Sequence, residues 1–396
     1  MRLPALAPLL PFVLVGACSS ASNSPASPPA DTGAGPSDAG DAVASDDGLD
    51  GAGDVATEAE APPSYADAVL AALWQELPKG PKVTSGAKQD DIWFSSPKRG
   101  FAVSGPLSAI FSTDDGGDTW TKVFSHKGTH FRSLAFTDDN HGFASNLGPI
   151  DGTSITDATL LYETKDGGGA WAPVTAIAGP MPTGICNQTK IDATHLIAVG
   201  RVNGPCFLMS SSDAGASWTS ISLDSKLSML IDARFTTPKD GIVVGGTNDA
   251  SMKCTILHTG DGGATWETVF TSKTPASLCW KISFPTDAVG YVSVQDNGVG
   301  PATFAKTIDG GKTWVEKPVG LKAAYSGIGI GFITESIGWI SSENPKQETY
   351  RTSDGGETWE VDPALKSPIN RFRFVDKATA YAIGGSVWKL SIATTP

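Results

Sequence analysis

Six copies of one eight-residue motif run through this chain. They read TDDGGDTW (Thr113 to Trp120), TKDGGGAW (Thr164 to Trp171), SSDAGASW (Ser211 to Trp218), TGDGGATW (Thr259 to Trp266), TIDGGKTW (Thr307 to Trp314) and TSDGGETW (Thr352 to Trp359). The six tryptophans are 51, 47, 48, 48 and 45 residues apart. A period in that range means one supersecondary unit used repeatedly, and a four-stranded propeller blade is a unit of that size. Within the motif, a Ser or Thr hydroxyl and an Asp carboxylate two positions on can hydrogen-bond backbone N–H groups of their own turn. The glycine that follows takes a backbone conformation that a side chain would forbid. The tryptophan opens the next strand and lays its ring over the turn. Asp115, Asp166, Asp213, Asp261, Asp309 and Asp354 are therefore expected to be six equivalent turn locks. Their repetition argues against catalysis, which needs one special carboxylate.

Between the motifs lies a second pattern, a hairpin with an apolar residue on each arm. It spans Ile92 to Ser104, Leu134 to Ser145, Gln188 to Gly200 (a weaker copy), Ala233 to Gly245, Ile282 to Val294, Gly331 to Ser342 and Phe372 to Gly385. Short apolar strands joined by polar turns at even spacing describe an all-β fold. Seven hairpins stand against six motifs. The seventh unit ends in GGSVWKLSI, with no motif and no room for an outer strand, while Trp74 in ALWQELPKG has no unit of its own. We expect an N-terminal strand around Trp74 to complete the last blade and close the ring, which protects strand edges. The alternative is a short surface helix over Tyr65 to Leu77. The fold class is thus a seven-bladed β-propeller of four-stranded antiparallel blades, over residues 65–396.

Residues 1–17 carry Arg2, an apolar run and then Val15-Gly16-Ala17-Cys18. This resembles a bacterial lipoprotein signal, with Cys18 as the lipidated residue; ordinary secretion is the alternative. Ser19 after the cysteine favours outer-membrane sorting by the same resemblance. Residues 18–64 are rich in Ala, Ser, Pro, Gly and Asp and cannot bury enough surface to order themselves. Such a tether would reach about 35–40 Å on average. The formal net charge is −13, and an acidic chain without a basic run is a poor candidate for nucleic acid. The cysteines other than Cys18 are Cys186, Cys206, Cys254 and Cys279. An even number in an oxidising compartment suggests two disulfides, with three possible pairings; the sequence-adjacent one joins Cys186 to Cys206 and Cys254 to Cys279. No C-x-x-C spacing supports zinc, and the five histidines have no ligand spacing.

The motif matches the Asp-box, or BNR, pattern S/T-x-D-x-G-x-T-W. Combined with the hairpins, it is similar to the photosystem II stability/assembly factor family and its relatives in non-photosynthetic bacteria. The resemblance implies an exported or lumenal scaffold that binds proteins, and it leaves the partner unnamed. Sialidases and sortilin-type receptors also carry Asp boxes. The sialidase aromatic-Arg-Ile-Pro motif has only the fragments Phe131-Arg132-Ser133 and Phe372-Arg373-Phe374 here, and neither continues as Ile-Pro. The six tyrosines offer no Glu-paired nucleophile, and no Gly-x-Ser-x-Gly motif is present. A paired-carboxylate glycosidase stays open, although xyloglucan-cleaving enzymes with similar boxes use two propellers.

A binding propeller is expected to use the face opposite the motif turns, where the innermost strands begin. Counting along the hairpins, Arg234 and Arg373 sit one position before Phe235 and Phe374, and Lys281 and Arg371 three before Phe284 and Phe374. These four share a strand face, while Arg132, four before Phe136, falls on the other side of its strand. The expectation is a basic patch at the channel mouth that takes an acidic peptide or another anion. The alternative is that each cation is paired with a nearby acid, such as Asp232 or Asp376. The insertion Asn146 to Leu161 is placed on the same face as the patch, as a binding lip or as decoration. Trp280 is either a buried blade aromatic or a platform for a sugar. The reading is a non-catalytic, lipid-anchored envelope scaffold, with a sialidase-like hydrolase or a carbohydrate-binding adhesin as alternatives. The expected partner is an envelope or membrane protein; the chain is expected to be monomeric, without cofactor, metal or nucleic acid, touching the membrane through its anchor.

Overall fold

Each repeat folds as a meander of four short strands, because its apolar residues fall on arms of two to nine residues separated by Gly-, Asp- and Ser-rich turns. The computed structural model describes residues 64–84, 87–296, 302–320, 327–342 and 347–393. The expected leader 1–17, the lipidation candidate Cys18 and all of the expected tether but Ser64 lie outside them. The innermost strands of the seven blades are Asp91–Phe94, Phe131–Phe136, Asn187–Lys190, Leu227–Phe235, Ser277–Ser283, Gly327–Phe332 and Ile369–Phe374. Six blades have four strands. Blade three gains a fifth, Ile177–Ala178, which runs parallel to Trp218–Ser222. Nearly everything else is antiparallel, so the chain is a seven-bladed β-propeller.

Both readings of the segment before blade one are correct in part. Ser64 caps a helix over Tyr65–Ala71, in a capping box with Asp67. The chain then extends, and Trp74–Glu76 pairs antiparallel with Val387–Ser391, Trp74 opposite Leu390. That strand is the outer strand of blade seven. Trp74 is buried edge-on against Trp339 of blade six, 5.4 Å between ring centres. On the other side of the seam, Phe94 of blade one stacks on Tyr381 of blade seven at 3.7 Å. Aromatic pairs of this kind add about 0.5–1.5 kcal/mol beyond the area they bury.

The six motif turns are built alike. In the first, the Thr113 hydroxyl donates to Asp115 Oδ1 (2.8 Å) and accepts from Gly117 N (2.9 Å). Asp115 in turn accepts from Thr119 N (2.9 Å) and the Thr119 hydroxyl (2.5 Å). The second glycine is where the preceding blade packs: a Cβ on Gly215 would stand 2.1 Å from Phe143 of blade two. Blade three departs at the first glycine position, where Ala214 adopts φ 58°. Blade two departs at the second hydroxyl position, where Ala170 leaves only its backbone N–H to bond Asp166.

Of the two expected disulfides one is present, Cys254–Cys279, which ties the third strand of blade four to the inner strand of blade five. The expected Cys186–Cys206 bond is corrected: both are buried free thiols, and they belong to different apolar clusters. Burial pushes the Cys206 thiol up to about 12, so it stays protonated at neutral pH.

Candidate ligand-binding channel

Inner strands of a propeller line its axis, and here their regular pleat is interrupted. Those of blades two, four, five, six and seven carry a register irregularity, at the start of the strand in blades two, six and seven and near its middle in blades four and five. A bulge re-aims the side chain it carries. At Arg132, the extra residue between Phe131 and Ser133, this reverses the expected facing. Its guanidinium lies in the channel, donating to Asp90 of blade one at 2.6 Å and sitting 5.6 Å from the ring centre of Trp280 of blade five. The strand-parity count failed there because it assumed an unbroken pleat.

The same irregularity on blade five carries Trp280 and Lys281. The Trp280 ring is buried and donates its Nε1–H to Asn370 of blade seven, 3.0 Å away. It packs with Leu147, Met229, Ile231, Leu278 and Cys186. Trp280 is thus buried, but among channel residues drawn from several blades. The insertion within blade two joins it through Leu147 and Ile150, held down by Arg201 Nη1 donating to Pro149 O at 2.7 Å.

The five cations are spread along the axis instead of gathered on one face. Arg132 is near the start of its strand, Lys281 and Arg371 lie midway, and Arg234 and Arg373 are next to last in theirs. The end near Arg234 and Arg373 is the motif-turn side: Arg234 Nη2 donates to Asp287 at 2.9 Å, and Gly310 of a motif turn donates to the adjacent Ala288 O at 2.8 Å. This corrects the expectation that these two arginines would open on the opposite face beside the insertion. The insertion connects second and third strands and packs at the Arg132 end.

Four of the five are ion-paired, as the alternative reading held. Arg132 holds Asp90, and Arg234 holds Asp287. Arg371 donates to Asp232 Oδ2 and to Asn187 Oδ1, each at 2.9 Å, and stands 3.5 Å from Asp91. Arg373 grips both oxygens of Asp91 at 2.9 Å and leaves Asp376 alone. Asp91 and Asp232 also accept from Leu134 N and Ile282 N of the following blades, so they lock neighbouring inner strands as well. Burial disfavours ionising Asp90 and Asp91. His130 and Arg132 overcome this at Asp90, which falls to about 2, and Arg373 and Arg371 overcome it at Asp91. Lys281 is different: it is buried, with no carboxylate at ion-pair distance among the described residues. Burial, followed by repulsion from Arg371, depresses its ammonium well below the ordinary range.

At the motif-turn end the channel opens into a cavity of about 160 Å³ lined by Asn187, Gln188, Thr189, Arg234, Phe284, Arg371 and Arg373, among others. Arg234 lies over the Phe284 ring at 4.1 Å. Its Asp287 partner is 96% exposed, so that pair is readily exchanged for another anion. Asp90 and Asp91, just ahead of an apolar strand in KQDDIWF, escaped the sequence reading. Their signal was position: Asp91 sits three residues before Phe94, as Asp232, Lys281 and Arg371 sit three before the aligned phenylalanines of other blades. Among the described residues no cluster of His, Cys, Asp and Glu could hold a metal, and no helix is long and apolar enough to cross a membrane.

No protein-family model and no curated protein matches the sequence. Solved structures do match in shape. YCF48 bound to D1 peptide superposes with a TM-score of 0.59 at 18% identity, covering 81% of this chain and 97% of that one. Virginiamycin B lyase from Staphylococcus aureus with quinupristin gives 0.59 at 16% identity, covering 81% and 100%. The GH74 xyloglucanase from Xanthomonas campestris gives 0.56 at 14% identity, and this chain spans 53% of its length. At these identities the likeness is one of fold: the chain is similar to binding and catalytic propellers alike.

Proposed function

We propose that this chain is a lipid-anchored envelope propeller that holds a protein partner by an acidic segment at the Arg234–Arg373 mouth. The observation that carries the reading is Arg234 itself, a guanidinium at the rim of a 160 Å³ cavity whose acid partner is exposed and replaceable. Arg373 and Asn187 supply further donors for a carboxylate, and Phe284 gives an apolar wall. That a propeller of the same shape, YCF48, is recorded with a peptide supports the reading. Anchoring rests on Val15-Gly16-Ala17-Cys18 and the tether that follows. Asp90 and Asp91, held ionised by arginines, do not suit the general-acid role of a glycosidase.

The test is a crosslinked pull-down from native membranes, identified by mass spectrometry, with wild type beside Arg234→Ala. A discrete protein captured by wild type and lost in the variant is expected. Equal capture by both would remove the mouth from the reading. Turnover of labelled glycosides by the wild type would replace the scaffold with an enzyme. Metabolic labelling with an alkyne fatty acid, lost in Cys18→Ala, checks the anchor.

A further inference from the structure

Lys281 and Arg132 leave an unanswered electrostatic demand inside the channel, away from the mouth. The Lys281 side chain is 2% exposed, and no acceptor bonds its ammonium among the described residues. Arg132, 6% exposed, spends Nη1 on Asp90. Its Nε and Nη2 are buried and reach no oxygen or nitrogen acceptor among the described residues, the Cys186 thiol being their hydrogen-bond neighbour. Those two N–H groups point the same way from the guanidinium and form the edge that receives two oxygens side by side. The Cys186 sulfur is a neighbour of this guanidinium, and a thiol is only a weak acceptor. Lys281 and Arg132 each lie 5.6 Å from the ring centre of Trp280. Lys88 lies over the same ring and is itself partnered.

The charge balance points the same way. Arg132, Lys281, Arg371 and Arg373 face Asp90, Asp91 and Asp232, and the three arginines hold the three carboxylates. Lys281 is left without a carboxylate, which is why its protonated form is disfavoured. Burying a cation without a partner is costly, and a monovalent anion would neutralise it. Arg371 and Asp232 line the mouth cavity, and both also act electrostatically on Lys281.

We propose that the channel interior is a second anion site, in which Lys281 and the Nε–Nη2 edge of Arg132 take the carboxylate of a small monovalent organic acid beside the Trp280 ring. The site is separate from the mouth: Arg234 takes no part, so a failure to find a protein partner there leaves it standing. Binding would restore the proton that burial disfavours on Lys281, so affinity should rise as pH falls from alkaline values toward neutrality. The groups that set this are Arg371, Asp232, Arg132 and Asp91 facing Lys281, with His130 behind Asp90.

The test uses the full chain, with acetate as carboxylate probe and bromide as locator. Crystals grown without halide or carboxylate are soaked in bromide, and anomalous density beside Lys281 is expected, displaced by acetate at equal ionic strength. In calorimetric titration, acetate affinity should fall by about tenfold or more in Lys281→Met, since about 1.4 kcal/mol is a factor of ten. Lys281→Arg should retain part of it, and Arg234→Ala all of it. Removing an unpaired buried charge should not unfold the chain, and the melting temperature of Lys281→Met without acetate verifies this. Ordered water at the site in every soak, bromide on the outer surface only (an adventitious ion only), or equal acetate binding by wild type and Lys281→Met would each overturn the proposal.

Discussion

The rim and the channel of this propeller are stabilised by opposite strategies. At the rim, six turns repeat one hydrogen-bond pattern in which the hydroxyl and carboxylate partners lie two to four residues away, as in Thr113–Asp115–Thr119. In the channel, each inner strand contributes something different, and the partners are remote. Arg132 and Asp90 are 42 residues apart, Arg371 and Asp232 are 139, and Arg373 and Asp91 are 282. The rim is redundant and solvent-exposed, so one lock can fail without consequence for the others. The channel is buried and mutually dependent. Repetition thus marks the parts that build a propeller, while singular residues mark the parts available for recognition.

Breaking the channel should therefore hurt most. Asp232→Ala leaves Arg371 buried and deprives it of its main acid, at a cost of about 3–5 kcal/mol. A loss below about 1 kcal/mol by chemical denaturation would mean that Asp91 alone suffices. Removing the blade-four to blade-five disulfide by Cys254→Ala opens a loop of 25 residues and should cost about 3 kcal/mol. Lys281→Met should move stability the other way at neutral pH. The lysine's folded pKa lies below its ordinary 10.5, so its penalty is full below the folded value and fades as pH rises toward 10.5. The melting advantage of the variant should shrink accordingly across alkaline pH.

The rim should respond more weakly. Hydrogen bonds from Thr119, Ser217, Thr265 and Thr313, first of their side-chain hydroxyls, hold Asp115, Asp213, Asp261 and Asp309 down to about 2. A carboxylate depressed on folding stabilises above its unfolded pKa, near 3.8, and that contribution is lost as pH falls from there through about 2. Asp309→Ala should lower neutral-pH stability slightly and flatten this acid limb by the same small amount in a pH series of melting curves. The smallest effect expected is a gain. Ala214 stands at φ 58° where other blades have glycine, so Ala214→Gly should stabilise by up to about 1 kcal/mol, read as a shifted denaturation midpoint. No gain would show that blade three has relaxed around the alanine.

The architecture was legible because its signals are local. The motif spacing counted six blades, the hairpins counted seven, and Trp74 betrayed the strand that reconciles them. Site reasoning fared unevenly. It singled out Arg132, Lys281, Arg371 and Arg373 as unusual, and all four do reach the channel. It misjudged the facing of Arg132 because of the bulge beside it, and it placed Arg234 and Arg373 at the wrong end of the axis. It left out Asp90, Asp91, Asn187 and Asn370, the partners that turn a presumed basic patch into a mostly neutralised network.

By itself the sequence determined the unit, its number, the turn chemistry and the ring closure, since each depends on residues a few positions apart or on a repeat that declares itself. Only the tertiary structure decided which charges meet, which thiols pair and which cation is left alone. Those outcomes depend on strands from different blades converging on one axis, and on bulges that re-aim side chains there; a one-dimensional spacing carries neither. Lys281 shows the limit most plainly: within the sequence it is one lysine among many, and at the axis it is a buried lysine with no carboxylate at ion-pair distance among the described residues.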